Sequence, residues 1–558
     1  MVRRGAGPTS QRGAARGALA CSLTVALLVA AVASVFGCGT AEGPLAGATP
    51  FATASATPTE PAASAMPGTT SPAIPGATQT RPPSPSPSPS PALVRLVPIV
   101  SFWSGQRSIG RADLARLLGG SAISGKPAFA TVAVTAPDAA ALAQSLGVAM
   151  QPTVEILPSA DVTAAVRASA TTIGIVRAEE VTPDVRALAV DGVSLFGAGR
   201  VADLGRWPLA VPSATPSTFD AGSLWTLAAG GDVNLDRSVF ISSVRRRKGI
   251  DYPWAGGTAR IAGFTCCGHE GSTLVVARRT GNAGAFRSLL SGADLAIVNL
   301  EGPASKNYVY RQDGFLFSVD PALLAGLRNA GVDAVSLANN HIRNAGDEGI
   351  ATTCSSLDAL GVAHAGAGAN LAAARKPAWL SAGGLKVAFL AYDAMEPGNW
   401  ATSGRPGAAP LQLAAVVADI KAARAAGADF VIVMPHWGTE YTQYVSPVQR
   451  REAAAMVAAG ADVILGSHSH YVGGIQTMAK PSGDPAFVVY SLGNLLFDFS
   501  YDEKTLEGVV DELTFDGTRL AQIDLHPTVM VDDAQTNLLD PAGSGKRVLD
   551  RIRAASTR

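Results

Sequence analysis

Two of the chain's seven histidines sit two residues apart in Gly466-Ser467-His468-Ser469-His470, directly behind the apolar run Val463-Ile464-Leu465. Neutral imidazoles are the side chains best suited to ligating transition metals near pH 7, and such a pair can serve one ion or two neighbouring ions. On a polar surface loop the same pair would carry no chemistry. The metal reading rests on recurrence. Apolar runs also lead into Gly231-Asp232-Val233-Asn234, Asn299-Leu300-Glu301-Gly302, Asn339-Asn340-His341, His436-Trp437-Gly438-Thr439-Glu440 and Ser491-Leu492-Gly493-Asn494. One such cluster is a turn or a cap at least as often as a site. Six of them supply Asp, Glu, Asn and four His, a mixed oxygen and nitrogen set suited to a pair of first-row divalent ions. Two such ions about 3.5–4 Å apart, joined by a bridging carboxylate, support hydrolysis.

The elements that must position these residues are legible around them. Each cluster follows a run that reads as a buried strand. Helical patterns lie between, notably Leu413 to Ala426 and Pro447 to Ala459, each closed by a glycine, Gly427 or Gly460. Strands alternating with helices imply an α/β domain, and open α/β sheets gather ligands at the C-terminal ends of their strands. The remaining histidines are expected elsewhere: His364 packed or at a rim, His526 on the surface, and His269 in an insertion beside Cys266-Cys267-Gly268.

Hydrophobic residues make up 47% of the chain and charged residues 16%, with zero formal net charge. No basic stripe appears, which argues against a nucleic-acid partner. Arg3, Arg4, Arg12 and Arg16 precede an apolar run from Ala18 to Phe36 and then Gly37-Cys38, the layout of a secretory leader over residues 1–38. Three fates fit it: lipidation at Cys38, an uncleaved transmembrane anchor, or simple secretion. All three place the rest outside the cytoplasm, and the first two tether it to a membrane. Residues 39–93, rich in Pro, Ser, Thr and Ala, read as a disordered linker. Residues 94–217 read as a small α/β domain, faintly like one lobe of a solute-binding protein, with no histidine or cysteine. The main domain is expected over 222–526, followed by a tail over 527–558. One of Cys266 and Cys267 has the option of pairing with Cys354.

In their order, the clusters, extended to His436-Trp437-Gly438-Thr439-Glu440-Tyr441 and Ser491-Leu492-Gly493-Asn494-Leu495-Leu496-Phe497, resemble the CapA-type poly-γ-glutamate capsule synthesis family over roughly residues 224–500. That family is related to the calcineurin-like metallophosphoesterases, which implies a four-layer α-β-β-α sandwich. The resemblance implies a catalytic set of His341, Asn340 and Asp232, with His341 as general acid. It implies metal ligands Asp232, Asn234, Glu301, Asn340, His436, His468 and His470 for two divalent ions of the Mn, Fe or Zn class. Glu301 would take the bridging place. Glu440 and Tyr441 would line the pocket or orient His436, with Asn494 in the same supporting layer. Two departures stand out: Asn234 occupies a position that is histidine in the phosphoesterases, and Glu301 one that is aspartate.

These readings converge on an extracytoplasmic, membrane-anchored hydrolase of phosphoester or amide-type bonds. Its expected partners are an anionic cell-envelope polymer or its precursor, and synthase or exporter subunits. The competing expectations are a non-catalytic partner of a polymer synthase that keeps its metal for folding, and a solute receptor led by residues 94–217.

Overall fold

The computed structural model describes residues 92–123, 129–266, 268–312 and 314–556. The leader with Cys38, nearly all of the linker and Cys267 lie outside the described residues.

Residues 92–213 build a mixed sheet in which Thr131–Thr135 runs parallel to Val154–Leu157 and Thr172–Arg177, while Ala92–Ser101 is antiparallel to its neighbours. Val97, Ile99, Val132, Val134, Ile173 and Ile175 bury its apolar positions in a core of its own.

The larger part of the chain builds two sheets. It begins with β1 (Leu224–Val233), the hairpin β2 (Thr258–Thr265) and β3 (Leu274–Gly281), helix α1 (Ala285–Ser291), β4 (Leu295–Leu300), β5 (Ala334–Ser336), α2 (Gly346–Leu360) and β6 (Ala363–Ala365). It crosses to a second sheet through β7 (Ala378–Ala382), β8 (Leu385–Asp393), α3 (Leu413–Ala425), β9 (Phe430–His436), α4 (Pro447–Ala459), β10 (Val463–Leu465), β11 (Ile475–Ala479) and β12 (Pro485–Val489). It returns with β13 (Asn494–Leu496), β14 (Glu507–Asp516), β15 (Arg519–Val531) and β16 (Gln535–Leu539), and closes with α5 (Lys546–Ser556). The first sheet has the order β3-β2-β16-β15-β14-β1-β4-β5-β6, with β13 also paired to β1. The second has the order β7-β8-β9-β10-β12-β11.

The central strands β1, β4, β5 and β6 are mutually parallel, as are β8, β9, β10 and β12. Strands buried on both faces read as unbroken apolar runs, and all ten residues of β1 are buried. The sheets meet through Trp225 of β1, whose ring lies 5.0 Å from Phe430 on β9 and 4.6 Å from Phe515 on β14. On the second sheet Phe389, Phe430 and Ile432 face this shared core. Ala388, Leu390, Val431 and Val433 face the other way and pack on Val416, Ile420, Met456 and Val457 of α3 and α4. Period-two alternation thus feeds two cores from one sheet. Helices α1 and α2 pack Phe286, Leu290, Ile350 and Leu357 against the first sheet. The result is the expected four-layer α/β sandwich, preceded by a smaller α/β sheet.

Two expectations fail because strand pairing is non-local. The boundary at residue 526 falls inside β15, and residues 527–556 are not a tail. β16 pairs with both β15 and β2, and α5 docks through Arg551 and Arg547, whose guanidinium nitrogens lie 2.6 and 2.9 Å from Glu503. His526 is not a surface residue. Its Nε2 lies 2.8 Å from Glu512 of β14, within an ion cluster where Asp524 is paired with Arg186 and, at 3.2 Å, with Arg107 of the small domain. The small sheet covers this stretch of β14 and β15. Gly197 N donates to Thr514 Oγ1 at 2.9 Å, and Ala187 N donates to Gln522 Oε1 at 3.1 Å. His364 sits on the edge strand β6 beside Asp358, at 3.2 Å. Cys354 on α2 carries a free thiol and is not bridged to Cys266.

The site end of the sandwich is drawn tight where β13 crosses β1. Asp232 N donates to Gly493 O at 3.0 Å, and a Cβ on Gly231 would stand 1.8 Å from that same oxygen. Gly231→Ala is therefore expected to cost about 3 kcal/mol, the upper end of overpacking. The expected reading is a lower urea midpoint with an unchanged m-value, and an unshifted midpoint would refute the close crossing.

Candidate metal centre

Every parallel strand at the middle of the sandwich delivers a polar group at its C-terminal end. β1 delivers Asp232, and Glu301 follows β4. Asn340 and His341 follow β5, and His436 ends β9. His468 and His470 follow β10, and Asn494 opens β13. These ends lie together because the two sheets present the same edge, so residues as far apart as Asp232 and Asn494 share one site.

Asp232, Glu301 and His436 are wholly buried, and His468 and His470 nearly so. Burial sets their protonation, since removing a group from water disfavours its charged form. It pushes His468 down to about 3 and His341 and His470 to about 4, and holds His436 well below the ordinary imidazole range. All four imidazoles are therefore neutral near pH 7. Burial likewise pushes the Asp232 carboxyl up to about 7. It raises Glu301 well above the usual carboxylate range, with the Asp232 charge adding to the effect.

The donor atoms form two connected groups. Asn340 Oδ1 lies 2.9 Å from His436 Nε2, which lies 3.1 Å from His468 Nδ1. These spacings match the edges of a coordination polyhedron with bonds of about 2.1 Å. Asp232, Glu301 and His470 each place one ligand atom within 4.8 Å of the other two. Glu301 Oε1 joins the groups, 4.0 Å from His436 Nε2, 4.0 Å from His470 Nε2 and 3.8 Å from His341 Nε2. That oxygen is buried and has no hydrogen-bond partner. A buried acceptor left unpaired is costly, and a cation would satisfy it and the neutral imidazoles together. The donor set fits divalent metal.

Supporting contacts fix the ligands. Asn494 Nδ2 donates to Thr505 O at 2.9 Å, which turns Asn494 Oδ1 to His470 Nδ1, 2.8 Å away, and leaves His470 Nε2 facing Glu301. Ser467 Oγ lies 3.0 Å from His436 Nδ1, the orienting place expected for Glu440 or Tyr441; neither of those is among the hydrogen-bond partners of His436. His468 and His470 both have positive φ, 95° and 59°, a conformation costly outside glycine and concentrated at functional sites.

Asn299 is the residue the motif reading passed over. Its Nδ2 donates to Asp232 Oδ1 at 2.8 Å and to Glu301 Oε2 at 3.3 Å, and its Oδ1 accepts from Asn339 Nδ2 at 3.2 Å. The signal was available, because side chains two apart on a strand share a face and Asn299 therefore accompanies Glu301. Asn234 behaves differently from its expected role. Its Oδ1 accepts from Asp236 N at 2.8 Å, so the oxygen proposed as a ligand closes a turn. His269 stacks on Tyr501 at 4.5 Å, on the hairpin insertion, and its backbone N donates to Tyr501 O at 2.9 Å.

A cavity of about 170 Å³ opens beside the cluster, with Asn340, His341, His470, Glu440 and Tyr441 on its wall and phenylalanines completing it. His341 is held there from behind. Asn344 Oδ1 accepts from Phe317 N at 2.9 Å and from His341 Nδ1 at 2.9 Å, and His341 Nε2 lies 3.3 Å from Asn340 Nδ2.

Comparison with known proteins now bears on this geometry. Residues 226–499 match the family model described as bacterial capsule synthesis protein PGA_cap. The chain is 30% identical over 234 residues to capsule biosynthesis protein CapA of Bacillus anthracis, covering 40% of this chain and 56% of that one. It is 28% identical over 246 residues to PGA biosynthesis protein CapA of Bacillus subtilis, covering 43% of this chain and 63% of that one. The chain thus spans less than two thirds of either relative. Among solved structures, a calcineurin-like phosphoesterase of Bacillus subtilis aligns at 11% identity and a TM-score of 0.30, covering 59% of this chain and 99% of that one. The family match opens on the strand that carries Asp232 and closes just past the strand that carries Asn494, so it is the site-building segment that is shared. Through residues 226–499 this chain is similar to the CapA-type family of bacterial capsule synthesis proteins.

Proposed function

We propose that this is an extracytoplasmic, membrane-tethered hydrolase that acts with two divalent ions on a phosphoester or amide-type bond. Its setting is the synthesis or anchoring of an anionic capsule polymer such as poly-γ-glutamate. The observation that carries the hydrolase reading is the unpartnered, buried Glu301 Oε1 among three neutral imidazoles. The names of the relatives support the polymer, and the leader-like residues 1–38 support the location.

Asp232, Glu301, Asn340, His436, His468 and His470 would hold the ions, which when bound supply Lewis acidity to the reacting bond and acidify water. The protein's own work is orientation. Asn299 holds both carboxylates, Asn494 and Ser467 hold two imidazoles, and burial keeps bulk water out. His341 presents Nε2 to the cavity and would pass a proton to the leaving group. Its pKa of about 4 in the free protein rises when an anion binds beside it.

Metal binding should be visible in protons. At pH 6 Asp232, titrating at about 7, holds its proton in the metal-free protein, and the raised carboxyl of Glu301 adds to this. The histidines hold none to give up. Mn²⁺ binding at pH 6 should release the proton held by Asp232, and that release should fade toward pH 8.5. Calorimetry in buffers of different ionisation enthalpy measures it, and a release that grows with pH contradicts the assignment. The function itself is tested by metal analysis with hydrolysis assays on phosphodiester and γ-glutamyl substrates. No metal after Mn²⁺ loading ends the hydrolase reading. Metal without turnover points to the structural partner of a synthase.

A further inference from the structure

The cavity beside His341 has a chemistry that the hydrolase reading does not use. Its walls include rings that pack on one another: Phe317 to Phe497 at 85° and 5.4 Å, then Phe497 to Phe499 at 79° and 6.0 Å, with Tyr441 parallel to Phe499 at 14° and 5.7 Å. Phe315, 79% exposed, stands at the mouth. The one carboxylate on the wall outside the metal cluster is that of Glu440, and among the described residues no lysine or arginine lines the cavity.

We propose that this cavity is a subsite for an organic ammonium group. Aromatic faces attract a cation lying within about 6 Å of their centroids, and cages of several rings are the usual receptors for such ions. Glu440 supplies the counter-charge. Phe317 already holds one cation, the Arg237 guanidinium 4.5 Å from its centroid. A flat base or sugar needs one broad face or an open slot. The rings packed on one another offer no such face, and the parallel Tyr441–Tyr501 pair is already closed at 4.3 Å. At about 170 Å³ the space is below the roughly 300–1,000 Å³ of pockets for drug-sized ligands and suits one compact group. Because His341 stands between the cavity and the metal cluster, the ammonium belongs to the leaving-group side. That assignment rests on the hydrolase reading; binding of the ammonium does not.

The test is calorimetric titration of the full-length protein, metal-free and Mn²⁺-loaded, with choline, n-butylammonium, the neutral isostere 3,3-dimethylbutan-1-ol and glucose. At least one ammonium ion should bind tenfold or more tightly than the alcohol, and Glu440→Gln should bring it to the alcohol's level. Phe499→Leu should weaken it severalfold while leaving Mn²⁺ content unchanged. The choline and butylammonium arms distinguish a quaternary from a primary amine. Equal affinity for choline and the alcohol, a preference for glucose, or no ammonium binding overturns the proposal. Metal content is measured on the same samples, so loss of Mn²⁺ binding counts against the hydrolase reading alone.

Discussion

Glu301→Gln should abolish metal binding without harming the fold. The substitution keeps the shape and removes the charge at the one oxygen that touches both halves of the donor set, 4.0 Å from His436 and 4.0 Å from His470. Loss of a partner outside the ligand set commonly costs 10–100-fold in metal affinity, and Asn494→Ala, which frees His470 Nδ1, is expected within that range. Glu301→Gln should exceed it. Stability should move the other way. The buried carboxyl is half unsatisfied in the metal-free protein, and removing a buried group that cannot be ionised in comfort is neutral or favourable. Metal-free Glu301→Gln should therefore unfold at the same urea concentration as wild type, or at one higher by about 1 kcal/mol of stability. Metal content by mass spectrometry and the unfolding midpoint give the two readings. A variant that retains its full metal complement would remove Glu301 from the centre.

His341→Ala should separate in the opposite sense, keeping the metal and losing turnover. His341 Nε2 is 3.8 Å from Glu301 and is bonded to Asn340, while its other nitrogen is anchored by Asn344. A general acid or base of this kind contributes about 10²–10⁴ in rate. The loss should fall on kcat, with KM little changed, because the group acts in the transition state. The assay uses whichever of the phosphodiester and γ-glutamyl substrates the wild type turns over. Metal loss in His341→Ala would reassign the residue as a ligand, and an unchanged kcat would remove it from the proton path. Asn344→Ala should produce a smaller loss in the same direction, since it frees the ring without deleting it.

The sequence by itself determined the local devices: apolar runs that must be strands, helices closed at Gly427 and Gly460, and a polar cluster after each central strand. Those clusters named Asp232, Glu301, Asn340, His341, His436, His468 and His470, because a strand followed by a turn delivers its polar residues wherever the strand lies. What depended on which strands are neighbours was decided only by the tertiary structure. Asn299 becomes the holder of both carboxylates because β4 lies beside β1. Ser467 replaces Glu440 behind His436 because β10 lies beside β9. Asn234 turns its oxygen to Asp236 N because the chain bends directly after β1. Residues 527–556 join the sandwich because β16 finds β2, nearly 280 positions earlier, and His526 is half-buried because it meets Glu512 on the neighbouring strand β14. The cavity's set of rings is assembled from loops around residues 315, 441 and 499, whose spacing along the chain carries no period. Local pattern is written in the sequence at the scale of a strand or a helical turn. Contacts across hundreds of residues are chosen by packing, and packing exists only once the sheets have closed on each other.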